Sequence, residues 1–384
     1  MSDAMGAVPT IGLVADDLTG ALDTAAKLAP LAGPLCYVAN PETGQMPPQF
    51  ALNTGTRELS AASPLAAKRV RAYASHLAFV DLAFLKIDSL LRGRIAADVR
   101  VLFELGLFDR CVIAPALPEQ HRWTEHGRQH VRDAGGTRQT GPDLVRELIA
   151  CDVPATHLRR GEMPRGADWA LVADARGLND LCQHVDMVQR GGGRILYCGA
   201  GGLAHALASA APAPVPVWPT SSSPPRAPIL AIIGSFHPVT QAQMARLTDT
   251  AQLHLATHGP QIDPEQTLAE LTAALSTGRS ASLSFDFPHG TDRSVAEKTI
   301  KSTLATMVPL CPRPGSLLVV GGETLAQMVA VLGVEQIRVL GENSPGVPRS
   351  VLLGGRWDGL EMCSKSGAFG QPDLLCRMLQ CSAR

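Results

Sequence analysis

The chain has 384 residues, 45% of them hydrophobic and 18% charged, with a formal net charge of −1. That is length for two domains, the make-up of an ordinary globular protein, and no basic field to hold nucleic acid or an anionic membrane. Aromatics at 4% argue further against platforms for nucleic-acid bases, and the nine scattered cysteines form neither a CxxC pair nor a zinc-spaced cluster. They read as reduced thiols in a cytoplasm; "MSDAMGAVPT" has no signal-peptide pattern and no apolar run reaches the length of a membrane span.

In chain order, short apolar runs come first: "IGLVA" at 11–15, "LCYVAN" at 35–40, "FALNT" at 50–54 and "LAFLKID" at 82–88. "RCVIAPAL" at 110–117, "WALVAD" at 169–174 and "RILYCG" at 194–199 continue the series. Between them lie stretches such as "SPLAAKRVRAYASHLA" and "GPDLVRELIA", apolar at helical spacing. Strand–helix alternation predicts a mostly parallel sheet covered by helices on both faces. "APALPEQHRWTEHG" at 114–127 reads as a long loop. The Pro- and Ser-dense stretch at 211–228 supports neither a helix nor a central strand, so it predicts a linker between domains at 1–210 and 229–384. After it the pattern restarts. "PILAIIGS" and "SLLVVGGET" are strands, each followed by a helical stretch, and turn-rich strands and a glycine loop lead to a final helix. The expected fold is two α/β domains, the second smaller.

Ligands of open α/β sheets sit beyond the carboxyl ends of the strands. Asp16 and Asp17 stand at such an end, before a helix expected from about residue 19. Helix capping accounts for one of them. The pair, with Asp23 nearby, suits holding a cation, orienting a hydroxyl or taking its proton. "KIDSLLRG" sets Lys86, Asp88, Ser89 and Arg92 at another strand end, and "NTGTREL" sets Arg57 at a third. A surface salt-bridge cluster is the plain alternative. Polar groups at three strand ends nonetheless point to a small, polar, anionic ligand, with a guanidinium matching its carboxylate. His121, Arg122, Thr124 and His126 are expected to make loop contacts rather than bind metal. In the second half, Gly321 and Gly322 follow a strand, with Glu323 and Thr324 opening a helix. Gly234 and Ser235 repeat the device, and Lys365, Ser366 and Gly367 form a basic flexible turn. Neither a P-loop nor a dinucleotide fingerprint occurs.

"VADDLTGALDTAA", "TGTREL", "KIDSLLRG", "APALPEQHRWTEHG", "GSFHPVT", "GGETLAQMV" and "SPGVPRSVLLGG…SKSGAFG" follow one another in an order and spacing that resembles the four-carbon acid sugar kinase family over residues 11–370. The resemblance implies a sugar-acid-binding amino-terminal domain and a nucleotide-binding carboxy-terminal domain, with both ligands in the cleft between them. It implies ATP-dependent phosphorylation of the terminal hydroxyl of threonate, erythronate or 3-oxo-tetronate. Asp16, Asp17, Arg57, Lys86, Asp88, Ser89 and Arg92 would face the acid, with Arg122 assigned to the same side. Ser235, Gly321, Gly322, Glu323, Thr324 and Gly367, with Lys365 and Ser366 beside them, would face ATP. The expected cofactors are ATP and Mg²⁺, with no protein metal-ligand set assigned. No nucleic acid or membrane partner is expected, and a homodimer fits an enzyme of this size. The sequence departs from the family at Leu90, Arg94, His121 and "CGAGGLA".

Those assignments give the aspartate pair a task. Phosphoryl transfer asks for positioning and charge neutralisation. One aspartate would accept or orient the hydroxyl proton. The other would fix the hydroxyl or reach Mg²⁺ through water, with Lys86 and the metal offsetting their repulsion. Phosphatases with an aspartyl nucleophile want their aspartates one residue apart, which "DDLT" does not offer. The non-enzymatic alternative is a sensor that binds sugar acid and nucleotide; glycine loops at three strand ends argue against it.

Overall fold

A computed structural model of the chain describes residues 8–42, 46–133, 135–163, 168–210, 225–247, 253–258, 263–288 and 290–379. It divides into two compact units, 1–218 and 219–384. Most of the expected linker, 211–224, lies outside the described residues.

The amino-terminal unit runs β1 (Ile11–Ala15), α1 (Leu18–Ala32), β2 (Leu35–Val38), β3 (Gln49–Asn53), α2 (Pro64–Ala74), β4 (Leu82–Lys86), α3 (Ile95–Leu105) and β5 (Arg110–Ala114). It continues through β6 (Arg122–Glu125), β7 (Arg128–Asp133), β8 (Gly136–Thr140), α4 (Leu144–Ala150), β9 (Ala155–Leu158), β10 (Ala170–Ala173), α5 (Leu178–Arg190), β11 (Ile195–Gly199) and α6 (Gly201–Ser209). Its main sheet, in the order β2-β3-β1-β4-β11-β5-β10-β9, is parallel throughout. A sheet covered on both faces needs strands that are apolar at every position, and β1 reads "IGLVA" with all of it buried. Val14, Leu52, Leu85, Val99 and Ile113 belong to one core beneath it. Each fully buried aliphatic side chain contributes about 1.5–3 kcal/mol.

The order places β1 between β3 and β4, with Ala15 opposite Asn53 on one side and Lys86 on the other. Three strands therefore end at one level, and the residues that follow them are neighbours. This register is what gathers the site.

The stretch 114–127 is more ordered than a loop. It holds a 3-10 turn, Pro118–Gln120, and then β6, which pairs with β7 in a separate antiparallel sheet that β8 completes on the far side of β7. Glu125 faces Arg128, so the β6–β7 connection is a two-residue hairpin loop, and His126 and Gly127 both take positive φ, 52° and 69°. Such loops favour this left-handed pairing because its twist matches the strands. The tip is fixed from outside: His126 N–H and Gly127 N–H donate to the buried Asp174 carboxylate at 2.9 and 3.0 Å.

The carboxy-terminal unit runs β12 (Ile229–Ile233), α7 (Pro238–Met244), β13 (Leu253–His258), α8 (Pro264–Ser276), β14 (Ala281–Asp286) and α9 (Arg293–Met307). β15 (Ser316–Val320), α10 (Gly322–Leu332), β16 (Gln336–Ser344), β17 (Val347–Leu353), β18 (Glu361–Lys365) and α11 (Leu374–Leu379) complete it. Parallel strands β13-β14-β12-β15-β18 continue into antiparallel β17 and β16. Ile233 pairs with Val320, and Val320 with Lys365, so here too three strands end level. Among the described residues no helix is long and apolar enough to cross a membrane.

Candidate functional site

The first cluster stands at the ends of β1, β3 and β4. Asp17 is the N-cap of α1: its carboxylate accepts from the Gly20 N–H at 3.0 Å and the Thr19 hydroxyl at 2.7 Å. Asp16 does something else. Arg57 donates to it twice, Nε at 2.9 Å and Nη2 at 2.6 Å, and the same Nη2 lies 2.8 Å from Asp17 Oδ1. The positive charge between the adjacent carboxylates is thus a guanidinium carried in from β3. Burial raises the Asp16 carboxyl above its usual range, against the pull of Arg57. Burial works against the Arg57 charge as well, but Asp17 and Asp16 together hold the guanidinium far above its ordinary value.

Lys86 ends β4 buried, its Nζ donating to the Ile87 carbonyl at 2.8 Å. Asp88 is buried too, yet its carboxyl stays well below the usual range because Arg92 bonds it twice, at 2.9 and 2.7 Å, and Arg57 and Lys86 lie nearby. Two glycines let these groups close up. A Cβ on Gly20 would lie 2.3 Å from Asp17 Oδ1 and 3.1 Å from Lys86 Nζ. Gly93, at φ 93°, would put one 3.2 Å from Asp16 Oδ2.

Arg57 and Arg92 are therefore already bound to carboxylates. Arg122 is not. Its Nη1 donates to the Ser89 hydroxyl at 2.5 Å, its Nε is buried without an acceptor, and among the described residues no carboxylate pairs with it. Burial lowers its proton affinity, with Arg92 and Arg138 adding repulsion and Asp88 opposing them. Gln129, fully buried on β7, reaches the Ser89 carbonyl at 2.8 Å and receives the Thr124 hydroxyl at 2.7 Å, so it braces the Ser89–Arg122 contact. The sequence marks Arg122 but not Gln129, whose only signal is its place in a polar strand.

Arg94 bonds Asp98 at 2.7 Å and the Ser60 carbonyl at 2.9 Å and is buried, so it holds the approach to α2 rather than presenting a charge to solvent. Burial pushes the Asp98 carboxyl up to about 6 despite Arg94. The "CGAGGLA" departure has a packing role. A Cβ on Gly199 would lie 2.6 Å from the Ala114 carbonyl oxygen, and one on Gly202 would lie 2.4 Å from that of Ala116.

The second cluster stands at the ends of β12, β15 and β18. Gly321, at φ 113°, caps α10 without a side-chain hydrogen bond. A Cβ on Gly234 would lie 2.0 Å from Thr324 Oγ1, and one on Gly367 would lie 1.9 Å from Ser235 Oγ. Ser235, Gly321, Thr324 and Gly367 thus share one small space whose walls are backbone and hydroxyls. Lys365 closes it. It is 1% exposed, and among the described residues its Nζ donates to the Ser366 carbonyl at 3.1 Å and the Thr240 hydroxyl at 3.4 Å. Burial brings its amine down to about 8. Hydroxyls, backbone and one buried ammonium suit a phosphate. Gly322 and Glu323 open α10 beside them, and Ser366 links Lys365 to Gly367.

Comparison with known proteins separates the same two halves. Residues 11–147 match the family model "Sugar-binding N-terminal domain", and residues 230–375 match "Nucleotide-binding C-terminal domain". The chain belongs to the four-carbon acid sugar kinase family. Members of this family are phosphotransferases with an alcohol group as acceptor. A D-threonate kinase of Bordetella bronchiseptica is 28% identical, aligned over 97% of each chain. A 3-oxo-tetronate kinase of Cupriavidus necator is 25% identical, also over 97% of each. A solved Salmonella typhimurium protein shares the fold, with TM-score 0.74 and 19% identity over 96% of this chain and 98% of that one. A nucleotide-binding domain in a four-carbon acid sugar kinase implies ATP, and the small space around Lys365 has the right chemistry for its phosphates. For Mg²⁺, among the described residues no group of three His, Cys, Asp or Glu is placed to hold a metal ion.

Proposed function

We propose that this chain transfers the γ-phosphoryl group of ATP to the terminal hydroxyl of a four-carbon sugar acid of the threonate, erythronate or 3-oxo-tetronate type. One observation carries the reading: Arg122 is a half-buried guanidinium with no carboxylate, beside a cluster whose other arginines are already neutralised. Family likeness suggests Arg57, Lys86 or Arg92 as the anchor for the ligand's carboxylate; the pairing supports Arg122, with Ser89 beside it. Binding there would satisfy the buried Nε, and a charge-assisted contact to a planar carboxylate suits a guanidinium.

The acid's hydroxyls would then reach the aspartates. Asp17 is the better placed to meet the terminal hydroxyl, its side chain being 23% exposed against 9% for Asp16. Asp17 accepts the hydroxyl proton as the oxygen attacks phosphorus, while Asp16 keeps Arg57, and through it Asp17, in place. Lys365, Ser235, Thr324 and the Gly321 and Gly367 backbone hold the phosphates. Mg²⁺ brought with the nucleotide would neutralise phosphate charge.

The test is ADP release from purified protein with Mg-ATP over a panel of four-carbon sugar acids, with three- and five-carbon acids as controls. Turnover with one or more tetronic acids and none with the controls is expected. Silence with every acid, while ATP still raises the melting temperature, would leave a nucleotide-binding protein with another acceptor and would sink the acid assignment.

A further inference from the structure

Phe236 directly follows Ser235 at the end of β12, and Phe287 directly follows β14, the neighbouring strand on the side away from β15. Their rings meet edge to face, centroids 5.5 Å apart at 72°. Phe236 is 46% exposed. A single exposed phenylalanine needs no explanation. Two in contact, in a chain with only nine, at the strand ends next to a hydroxyl-and-lysine cluster, do. An edge-to-face pair uses one face of one ring and leaves flat apolar surface free for a third ring to stack.

The position along the sheet gives the ring's source. The polar cluster spans the ends of β18, β15 and β12, and the aromatic pair spans β12 and β14. Strands are spaced by about 4.8 Å, so the aromatic surface begins one strand beyond the phosphate groups. A ligand that fits both has an anionic end and a flat aromatic end. We propose that Phe236 and Phe287 form the platform on which the base of the bound nucleotide stacks. This rests on the nucleotide reading of the carboxy-terminal unit and adds to it the recognition of the base.

Stacking on a ring holds a base in a sequence-tolerant way and is worth roughly tenfold in affinity or more. The experiment is calorimetric titration of ADP and of inorganic tripolyphosphate into the full chain, wild type, Phe236→Ala, Phe287→Ala and Phe236→Tyr. Phe236→Ala is expected to weaken ADP about tenfold and to leave tripolyphosphate unchanged, with Phe287→Ala smaller in the same direction. Phe236→Tyr, which keeps the ring, is expected to bind ADP like wild type. If wild type binds both ligands and Phe236→Ala changes neither, or weakens both equally, the platform is wrong and the phosphate site stands. If wild type binds neither, the nucleotide reading fails and the platform with it. Because Phe236 lies on the surface, the variants are expected to fold, and a melting midpoint within a few degrees of wild type checks this.

Discussion

The two clusters solve opposite electrostatic problems at the same place in a sheet. In the amino-terminal unit, acidic and basic side chains other than Arg122 are matched before any ligand arrives: Arg57 with Asp16 and Asp17, Arg92 with Asp88. In the carboxy-terminal unit the cluster is glycine, hydroxyl and one buried ammonium for which no ion pair is found among the described residues. The first arrangement is fixed in shape and nearly neutral, which suits a small acid bearing several hydroxyls. The second is left short of negative charge, which suits a polyanion. Pre-paired charge gives geometry; unpaired charge gives affinity.

Substitutions break this contrast in order of size. Asp17→Asn removes the proposed proton acceptor and is expected to lower turnover by about a thousandfold or more while ADP binding persists; near-normal turnover would take Asp17 out of the reaction. Arg57→Gln leaves two adjacent carboxylates, one of them buried, without their cation. Breaking a buried pair costs about 3–5 kcal/mol, to be read as a fall in denaturant midpoint, and Asp16→Asn in the same chain should recover part of it. Arg122→Gln touches no paired charge, so the fold should hold. Its expected effect is a fall of about a hundredfold in kcat/KM for the acid, with KM for ATP unchanged. Equal loss on both substrates would contradict its assignment. The smallest effect concerns Lys365. Its amine is brought down to about 8 by burial, so the free protein loses this charge as pH rises through 8, whereas bound phosphate favours the charged form. ADP affinity is therefore expected to fall about tenfold between pH 7 and 9, and Lys365→Met should flatten that slope. The same depression means that folding carries a penalty below pH 8 which eases as pH rises toward the ordinary lysine value, so Lys365→Met should stabilise the apo chain at neutral pH by a measurable few degrees.

Much of this is legible in the amino-acid sequence. The buried strands announce themselves as unbroken apolar runs, and the abrupt change from "IGLVA" to Asp16 and Asp17 marks a strand end. What the chain could not show is which side chain answers which. That Arg57 sits between the aspartates depends on β3 pairing with β1 in one register, a contact across 41 residues. The β6–β7–β8 sheet was hidden for a different reason. Its strands carry charged and polar residues on both faces, so no apolar alternation betrays them. Its turn uses His-Gly where Asn-Gly or Asp-Gly would have been the signal. The Arg94–Asp98 pair has the spacing of helix neighbours and was visible in principle, but its grip on the Ser60 carbonyl was not.

The hairpin has a mechanical consequence. Arg122 begins β6, and the far end of that strand turns at His126–Gly127, which Asp174 grips by two backbone N–H groups. Thr124, between them, exchanges backbone hydrogen bonds with Ala175. The strand is thus a short beam held at its tip, at its middle and at its Arg122 end, where Arg122 exchanges backbone hydrogen bonds with Leu117 at 2.9 and 3.2 Å. Its guanidinium is presented from a backbone pinned at three places. On the proposed reading, residues after β10 that never touch the acid would therefore help to fix the aim of the group that does, and acid preference could be tuned without any change among the aspartates.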